Sequence, residues 1–209
     1  MKIVVIADDG LKEELSKQEI NAAADIEWKN ELANLPDILN ACIDLHYDSN
    51  RVERKKLLMN CNAELIIIND VEQIVADAPS NFVRINAWPS FLKRNIVEAS
   101  ANNENMKPVA EKLFQLFGKT IKWVPDIPGF VTARLISTII NEAYFSVEDA
   151  VSSRNEIDVA MKLGTNYPHG PFEWANMIGI KKIYSLLQTL SNYNSRYTPS
   201  PLLKKEATF

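Results

Sequence analysis

The sequence predicts an α/β chain in which an open, mainly parallel sheet over residues 1–124 is followed by an all-helical domain over 125–209. Two observations point to the sheet. Short β-branched runs (Lys2–Asp8, Ala41–Leu45, Leu65–Ile68) alternate with segments of helical length, the pattern of strands joined by crossover helices. The first run ends in Asp8-Asp9-Gly10 and leads into the amphipathic segment Leu11–Ile20, which reads as strand, turn and helix. The third observation concerns the second domain. From Pro128 to Val151 the chain is apolar over a wide helical arc: Val131, Leu135, Ile139, Ala143 and Val147 form one stripe, and Ile136, Ile140, Tyr144 and Val151 form another beside it. Such a helix needs cover on two sides, as a core helix or with one face against a second subunit.

The remaining elements follow in order. A charged helix, Ser49–Asn60, lies between the second and third apolar runs, and Glu72–Ala76 is a short helix candidate. Val83–Ala87 is a weaker strand, and Lys93–Ser100, carrying Glu98, reads as an edge strand. Met106–Phe117 is an amphipathic helix closed by Gly118, Thr120–Val124 is the last strand, and the domain boundary is placed at Pro125. A second short helix ends at Gly164 and is followed by a Pro/Gly loop.

Composition narrows the function. The 209 residues are 46% hydrophobic and 24% charged, values of an ordinary globular protein with room for two small domains. The net charge of −4 is uneven, with 15 basic and 19 acidic groups in residues 1–124 and 8 of each in 125–209. No basic patch suited to nucleic acid is present, because the longest cluster, Arg51–Lys56, is interrupted by Glu53 and reads as a solvated helix face. Met1 leads straight into a strand-like run and no apolar stretch reaches membrane-spanning length, so a cytoplasmic chain without membrane partners is expected. Cys42 and Cys61 lack metal-ligand spacing and are expected as buried, reduced thiols.

A strand, turn and helix at the start of such a sheet is where dinucleotides bind, through a G-x-G-x-x-G turn that brings the backbone close to a pyrophosphate at the helix N-terminus. The corresponding turn here is Ala7-Asp8-Asp9-Gly10-Leu11-Lys12, with Gly10 as its single glycine and two carboxylates where a diphosphate would sit. Those charges repel a diphosphate. A ribose-binding acid would end a second strand about 20 residues on. Glu27 and Glu31 are the acids near that distance, neither ends a convincing buried strand, and both read as surface carboxylates.

Three blocks in the second half, DIPGFVTARLISTIINEAYFSVEDAV, NEIDVAMKLGTNYPHGPFEWANMIG and SRYTPSPLL, resemble the C-terminal domain of the 3-hydroxyacyl-CoA dehydrogenases. These NAD-dependent enzymes oxidise 3-hydroxyacyl-CoA in fatty-acid and butanoate metabolism. The resemblance implies a Rossmann-like N-terminal domain, here reduced, and a helical domain of the 6-phosphogluconate dehydrogenase C-terminal type that makes a homodimer through residues 128–151. It extends backwards through Asp44-Leu45-His46-Tyr47-Asp48, similar to a family strand end, and through PSNFVRINAWPSFLKRNIVEA, similar to the family segment Arg-Phe-x-Gly-x-His-Phe-Phe-Asn-Pro that continues to Val-Glu-Val. Matched without a gap, Phe82 takes the family phenylalanine, Glu98 the catalytic glutamate, and Asn86 the place of the catalytic histidine.

In the family that histidine removes the substrate hydroxyl proton while hydride leaves for NAD, and the glutamate orients its ring. An asparagine amide cannot accept that proton at neutral pH. Ala133 replaces the family's polar residue before the arginine, here Arg134, and Ile68-Asn69-Asp70-Val71-Glu72 has no counterpart of the family's substrate-contacting serine. The interval between the first strand and Asp44 is also much shorter than in the family, which carries there a second strand and a helical hairpin over CoA and cofactor. Glu27–Asp37 looks like the end of what remains. The expectation is a chain that has kept neither the NAD site nor conventional catalysis and that binds an acyl-CoA-like small molecule near Glu98 and Asn86. The alternative is a working oxidoreductase with a rebuilt cofactor site, using Asp8, Gly10 and Asp44 by position and His46 as base. His46 otherwise reads as a half-exposed loop histidine at a strand's carboxyl edge, and His169 as part of a Pro/Gly loop. Asn141-Glu142 is expected as a buried polar pair, Arg134 with a carboxylate partner, and Arg196–Pro201 as a turn packed on the helices. Two histidines and two cysteines assemble no metal cluster.

Overall fold

A computed structural model describes residues 1–16, 24–47, 52–74 and 78–208 and divides the chain into two compact units, Met1–Phe130 and Val131–Phe209. The division falls after Phe130, not at Pro125, because the intervening segment is bonded to the sheet of the first unit: Gly129 N–H donates to Val71 O (2.7 Å), and Arg84 binds Asp126 and Ile127.

In the first unit seven strands form one sheet: β1 (Lys2–Ile6), β2 (Asp25–Lys29), β3 (Leu39–Asp44), β4 (Ala63–Asn69), β5 (Phe82–Ile85), β6 (Ile96–Ala101) and β7 (Thr120–Trp123). Their order is β2-β1-β3-β4-β5-β6-β7. All neighbours are parallel except β5 and β6, so β6 and β7 run against the other five. The helices are α1 (Asp9–Ser16), α2 (Val52–Met59) and α3 (Met106–Gln115).

Alternation along each strand makes two cores. Ile3, Val5, Ala41, Ile43, Leu65, Ile67, Val83 and Ile85 pack with Leu15 of α1 and with Leu113 and Phe114 of α3. Val4, Ile6, Cys42, Ile66, Ile68 and Phe82 pack on the other face with Leu58 of α2. Both faces of the central strands are therefore covered, which is why they read as unbroken apolar runs. Past Phe82, the second face changes character. Arg84 and Asn86, two and four residues on, lie on that same face and are buried, as are Glu98 and Ser100 opposite them on β6.

Three sequence expectations change here. A second strand, β2, does exist, and Glu27 lies inside it, bonded to Lys29 (3.0 Å). Ile26 and Trp28 pack on the core while Asp25, Glu27 and Lys29 alternate with them, the pattern of an edge strand with one covered face. Second, β6 is internal, flanked by β5 and β7, and its antiparallel pairing makes the sheet mixed. Third, residues 71–73 are a bend in which Asp70 Oδ1 accepts from the N–H groups of Glu72 and Gln73, so no helix starts at Glu72. The expected helix ends Lys17–Ile20, Ser49–Arg51 and Val75–Ala76 lie outside the described residues.

The second unit holds α4 (Thr132–Glu148), α5 (Arg154–Thr165), α6 (Pro171–Ile178), α7 (Ile180–Ser191) and α8 (Pro201–Thr208). α4 buries Ala133, Ile136, Ile140, Ala143 and Tyr144, which accounts for most of the second apolar stripe. Asn141 is buried and holds the C-terminal turn, donating to Thr198 O (2.9 Å) and accepting from Ser200 N–H (2.8 Å). Its neighbour Glu142 is exposed, since on a helix adjacent residues do not share a face. Arg134 stacks over the Tyr197 ring at 5.7 Å, which ties α4 to the same C-terminal turn. α5 starts with a capping box between Ser153 and Glu156. α6 starts at Gly170, which has no side chain to cap it. Asp158 of α5 supplies the carboxylate, accepting from Phe172 N–H (2.8 Å) and Glu173 N–H (3.2 Å).

That substitution of one residue's side chain for another's is testable. A β-carbon added at Gly170 would lie 2.3 Å from Asp158 Oδ1, so Gly170→Ala is expected to displace the cap and to cost about 1–3 kcal/mol, read as a lower Tm in thermal unfolding. In the first unit, Arg84→Met is expected to cost roughly 3–5 kcal/mol in urea unfolding, because it removes the buried ion pair with Asp126 and the donors to two carbonyls.

Candidate active-site region

In an open α/β sheet, ligands bind at the carboxyl ends of the strands where the strand order reverses. That point here lies between β1, which leads outward to β2, and β3, which leads inward to β4. The residues just past these two strands are Asp8 and His46. Asp8 precedes α1, and its Oδ1 accepts from Leu11 N–H (2.8 Å). The carboxylate therefore occupies a helix N-terminal donor of the kind a bound phosphate would use. Gly10, inside the first turn, has a negative φ, and a β-carbon there would meet only Asp8 Oδ1 at 3.4 Å, so the turn makes no use of glycine's freedom.

His46 Nε2 accepts from Asp8 N–H (2.9 Å) and lies 3.4 Å from Asp8 Oδ2. These two contacts demand opposite states of the nitrogen. The shorter and better defined bond makes Nε2 the unprotonated acceptor, which commits its lone pair to the backbone. Asp44, fully buried at the end of β3, accepts from His46 N–H (3.1 Å) and binds Arg54 of α2 through both oxygens (2.6 and 2.7 Å). Asp44 thus anchors α2 and the His46 turn from within, and its oxygens are turned toward protein groups, not toward a ribose.

On the β5–β6 half of the same face, Asn86 and Glu98 stand side by side. Asn86 N–H donates to Glu98 O (3.1 Å) across the strands, and its amide Nδ2 donates to Glu98 Oε2 (3.2 Å). Asn86 is 2% exposed and Glu98 8%. The two buried side chains are therefore in direct contact. Asn86 Oδ1 accepts from Trp88 N–H (3.4 Å), so both ends of the amide are used.

Arg84 is fully buried on this strip. Its guanidinium bonds Asp126 Oδ1 (2.5 Å), Asp70 O (3.0 Å) and Ile127 O (2.5 Å) and stacks over Phe130 at 4.0 Å. Burial pulls its pKa below the ordinary arginine value, and Asp126 opposes that shift. Ser100 donates to Val124 O and Pro125 O.

Sequence reasoning missed Asn69 and Glu14. Asn69 Nδ2 donates to Leu45 O (3.1 Å) and Ala87 O (3.3 Å) while its Oδ1 accepts from Ala87 N–H (3.0 Å), so it stitches together the residues next to His46 and Asn86. A polar residue closing the apolar run Leu65–Ile68 was the available signal. Glu14, on α1, accepts from Ser90 N–H (2.8 Å) and fixes the positive-φ turn after Pro89.

The second unit has a separate cavity of about 700 Å³ lined by Tyr144, Arg154, Lys162, Phe172, Glu173 and Glu206 among others. Its charges are matched internally. Arg154 pairs with Glu206 and Lys162 with Glu173, and these partners hold both carboxylates below their usual pKa. Burial, with a hydrogen bond to Glu206, pushes the Tyr144 hydroxyl up to about 12. His169 lies beside the Trp174 ring in the same unit, 3.9 Å from Glu173, consistent with a loop role. Among the described residues no group of three or more His, Cys, Asp or Glu is arranged for a metal ion, and no helix is long and apolar enough to cross a membrane.

The fit to NAD can be judged from these groups. The phosphate-binding helix end is capped by Asp8, the turn offers one glycine, Glu27 is inside β2 and Glu31 is exposed beyond it. These residues do not form a dinucleotide site.

A family model for the 3-hydroxyacyl-CoA dehydrogenase C-terminal domain matches residues 129–208. The chain is 37% identical over 114 residues to a 3-hydroxyadipyl-CoA dehydrogenase of Escherichia coli, covering 54% of this chain and 24% of that protein. It is 29% identical over 178 residues to a 3-hydroxybutyryl-CoA dehydrogenase of Bradyrhizobium diazoefficiens, covering 78% and 61%. The chain thus spans between a quarter and about three fifths of the length of these relatives. In three dimensions it matches the (S)-3-hydroxybutyryl-CoA dehydrogenase of Ralstonia eutropha with a TM-score of 0.76 at 18% identity, over 99% of this chain and 93% of that one, a likeness of fold. Residues 129–208 thus match the C-terminal domain of the 3-hydroxyacyl-CoA dehydrogenases, and the chain is similar in sequence to 3-hydroxyadipyl-CoA and 3-hydroxybutyryl-CoA dehydrogenases.

Proposed function

We propose that this chain is a diverged family member that does not perform NAD-dependent 3-hydroxyacyl-CoA oxidation and instead binds an acyl-CoA-like small molecule along the polar strip of β5 and β6. The observation that carries this reading is the Asn86–Glu98 contact, in which an amide takes the place of a proton-accepting imidazole. Oxidation of a 3-hydroxyl group requires a base for the hydroxyl proton and an acceptor for the hydride. Asn86 cannot be the base. The Asp8 carboxylate on α1 opposes the dinucleotide that would accept the hydride. His46 supports a substitute role poorly, since its Nε2 lone pair is taken by Asp8 N–H. What remains is a buried polar surface with defined donors and acceptors, the kind of surface that orients a ligand.

The same reading includes a homodimer through residues 128–151. Val131 (49% exposed) and Leu135 (58%) of the first apolar stripe are uncovered, and Ile139 and Val147 are half-buried, leaving an apolar line along α4. Sedimentation velocity is expected to give twice the chain mass for the native protein and the chain mass for Leu135→Arg. A monomeric native protein overturns this part.

The catalytic part is tested with NAD, NADH, CoA and short acyl-CoAs in thermal shift assays. A ligand at about 100 times its Kd stabilises by ~2.7 kcal/mol, so a short acyl-CoA is expected to raise Tm by several degrees while NAD leaves it unchanged. No NADH absorbance is expected from 3-hydroxybutyryl-CoA with NAD. Turnover that is lost in His46→Ala or Glu98→Gln would instead establish an oxidoreductase with a rebuilt site. Asn86→His is expected to give no turnover either, because restoring the base leaves Asp8 on the helix end.

A further inference from the structure

The cavity of the second unit is lined by residues of that unit alone and shares none of the groups on β5 and β6. At about 700 Å³ it has the size of a small-molecule pocket. Part of its lining is one face of α5, from which Arg154, Asp158 and Lys162 project at steps of four. Phe172 and Ala175 of α6, with Ile180 at the start of α7, add an apolar surface. Charge is distributed unequally along it. At one end Arg154 meets a single carboxylate, Glu206, which both of its terminal nitrogens bind. Lys162 lies eight residues further along the helix, a rise of about 12 Å, and there one ammonium is grouped with two carboxylates, Glu173 and Asp158.

The carboxylates of this cavity are already engaged. Asp158 accepts from the N–H groups of Phe172 and Glu173, Glu173 from Gly170 N–H and Lys162, and Glu206 from Tyr144 and Arg154. The guanidinium is engaged only in part. It carries five N–H donors, and the pair with Glu206 takes one on each terminal nitrogen, so Arg154 keeps donors to spare while 41% of its side chain is open. It is also held in position, 5.2 Å over the Tyr144 ring and 5.0 Å over the Phe172 ring. We propose that this cavity binds a small monocarboxylate with an apolar body, its carboxylate on Arg154 and its chain along Val159, Phe172 and Ile180. Spare donors call for an anionic acceptor, and a guanidinium–carboxylate bond is among the stronger charge-assisted ones. The negative balance at the Lys162 end repels a second carboxylate, and the three lining carboxylates together oppose a phosphate dianion. An alkylammonium finds its acceptors already bonded.

Isothermal titration calorimetry on the full chain, with octanoate, octanedioate and octylamine as probes, tests this site. Octanoate is expected to bind with a single saturable transition, octanedioate more weakly, and octylamine without a saturable signal. Arg154→Gln is expected to weaken octanoate about 10- to 100-fold, the worth of one charge-assisted hydrogen bond. Where Arg154→Gln lowers Tm through the loss of its pair with Glu206, Asn176→Trp decides. It adds bulk at an exposed position of the lining and is expected to abolish octanoate binding with Tm unchanged. The ranking of the three probes on the native protein holds whatever the variants do. An absence of saturable octanoate binding, an affinity that neither variant alters, or tighter binding of octylamine or octanedioate than of octanoate would overturn the proposal.

Discussion

The first unit is organised around one buried cation. Arg84 emerges from the centre of a strand on a face that is otherwise apolar up to Phe82, and a lone guanidinium there would be far too costly to desolvate. Three fixed acceptors and an aromatic face remove that cost: Asp126, the carbonyls of Asp70 and Ile127, and the Phe130 ring. Each belongs to a stretch with no regular structure of its own, the bend after β4 and the segment after β7. The requirement to satisfy Arg84 therefore shapes loops that hydrophobic burial alone would leave underdetermined.

Most of the sheet was legible because its central strands are covered on both faces, which leaves continuous β-branched runs such as Leu65–Ile68. β2 was not, because an edge strand with one covered face shows only Ile26 and Trp28 as inward residues, and five residues give too short an alternation to separate from a loop. The direction of β6 could not be read either. Strand polarity relative to a neighbour depends on the length and path of residues 86–95, where Ser90 takes a positive φ and Glu14 binds its N–H from another element. Such a tertiary bond leaves no local trace in the sequence.

The site was legible where chemistry is carried by residue type and opaque where it is carried by partners. That Asn86 is no base follows from its amide, whereas its hydrogen bond to Glu98 is set by the pairing of β5 with β6 and is seen only in the structure. The role of Asp8 required coordinates. Two carboxylates in the turn argued only for repulsion, whereas the structure gives one of them a positive function, as the cap of α1 and the neighbour of His46. Likewise Asp44, placed by position beside a cofactor, proves to be the buried counter-ion of Arg54.

Asn86 and Asp8 share a physical logic. A catalytic histidine paired with a glutamate must keep one nitrogen free to face substrate, and an open helix end must keep donors free to face phosphate. Both are states in which polar groups stay unsatisfied until a ligand arrives. In this chain the corresponding groups are closed on the protein itself. The Asn86 amide donates to Glu98 and accepts from Trp88, and the Leu11 N–H at the start of α1 is capped by Asp8. Satisfying these groups internally stabilises the fold by roughly 1 kcal/mol for each hydrogen bond. The same bonds therefore fix both strand ends in place: the Asn86 amide is held between β6 and the Trp88 turn, and the first turn of α1 is held by Asp8, just past the end of β1.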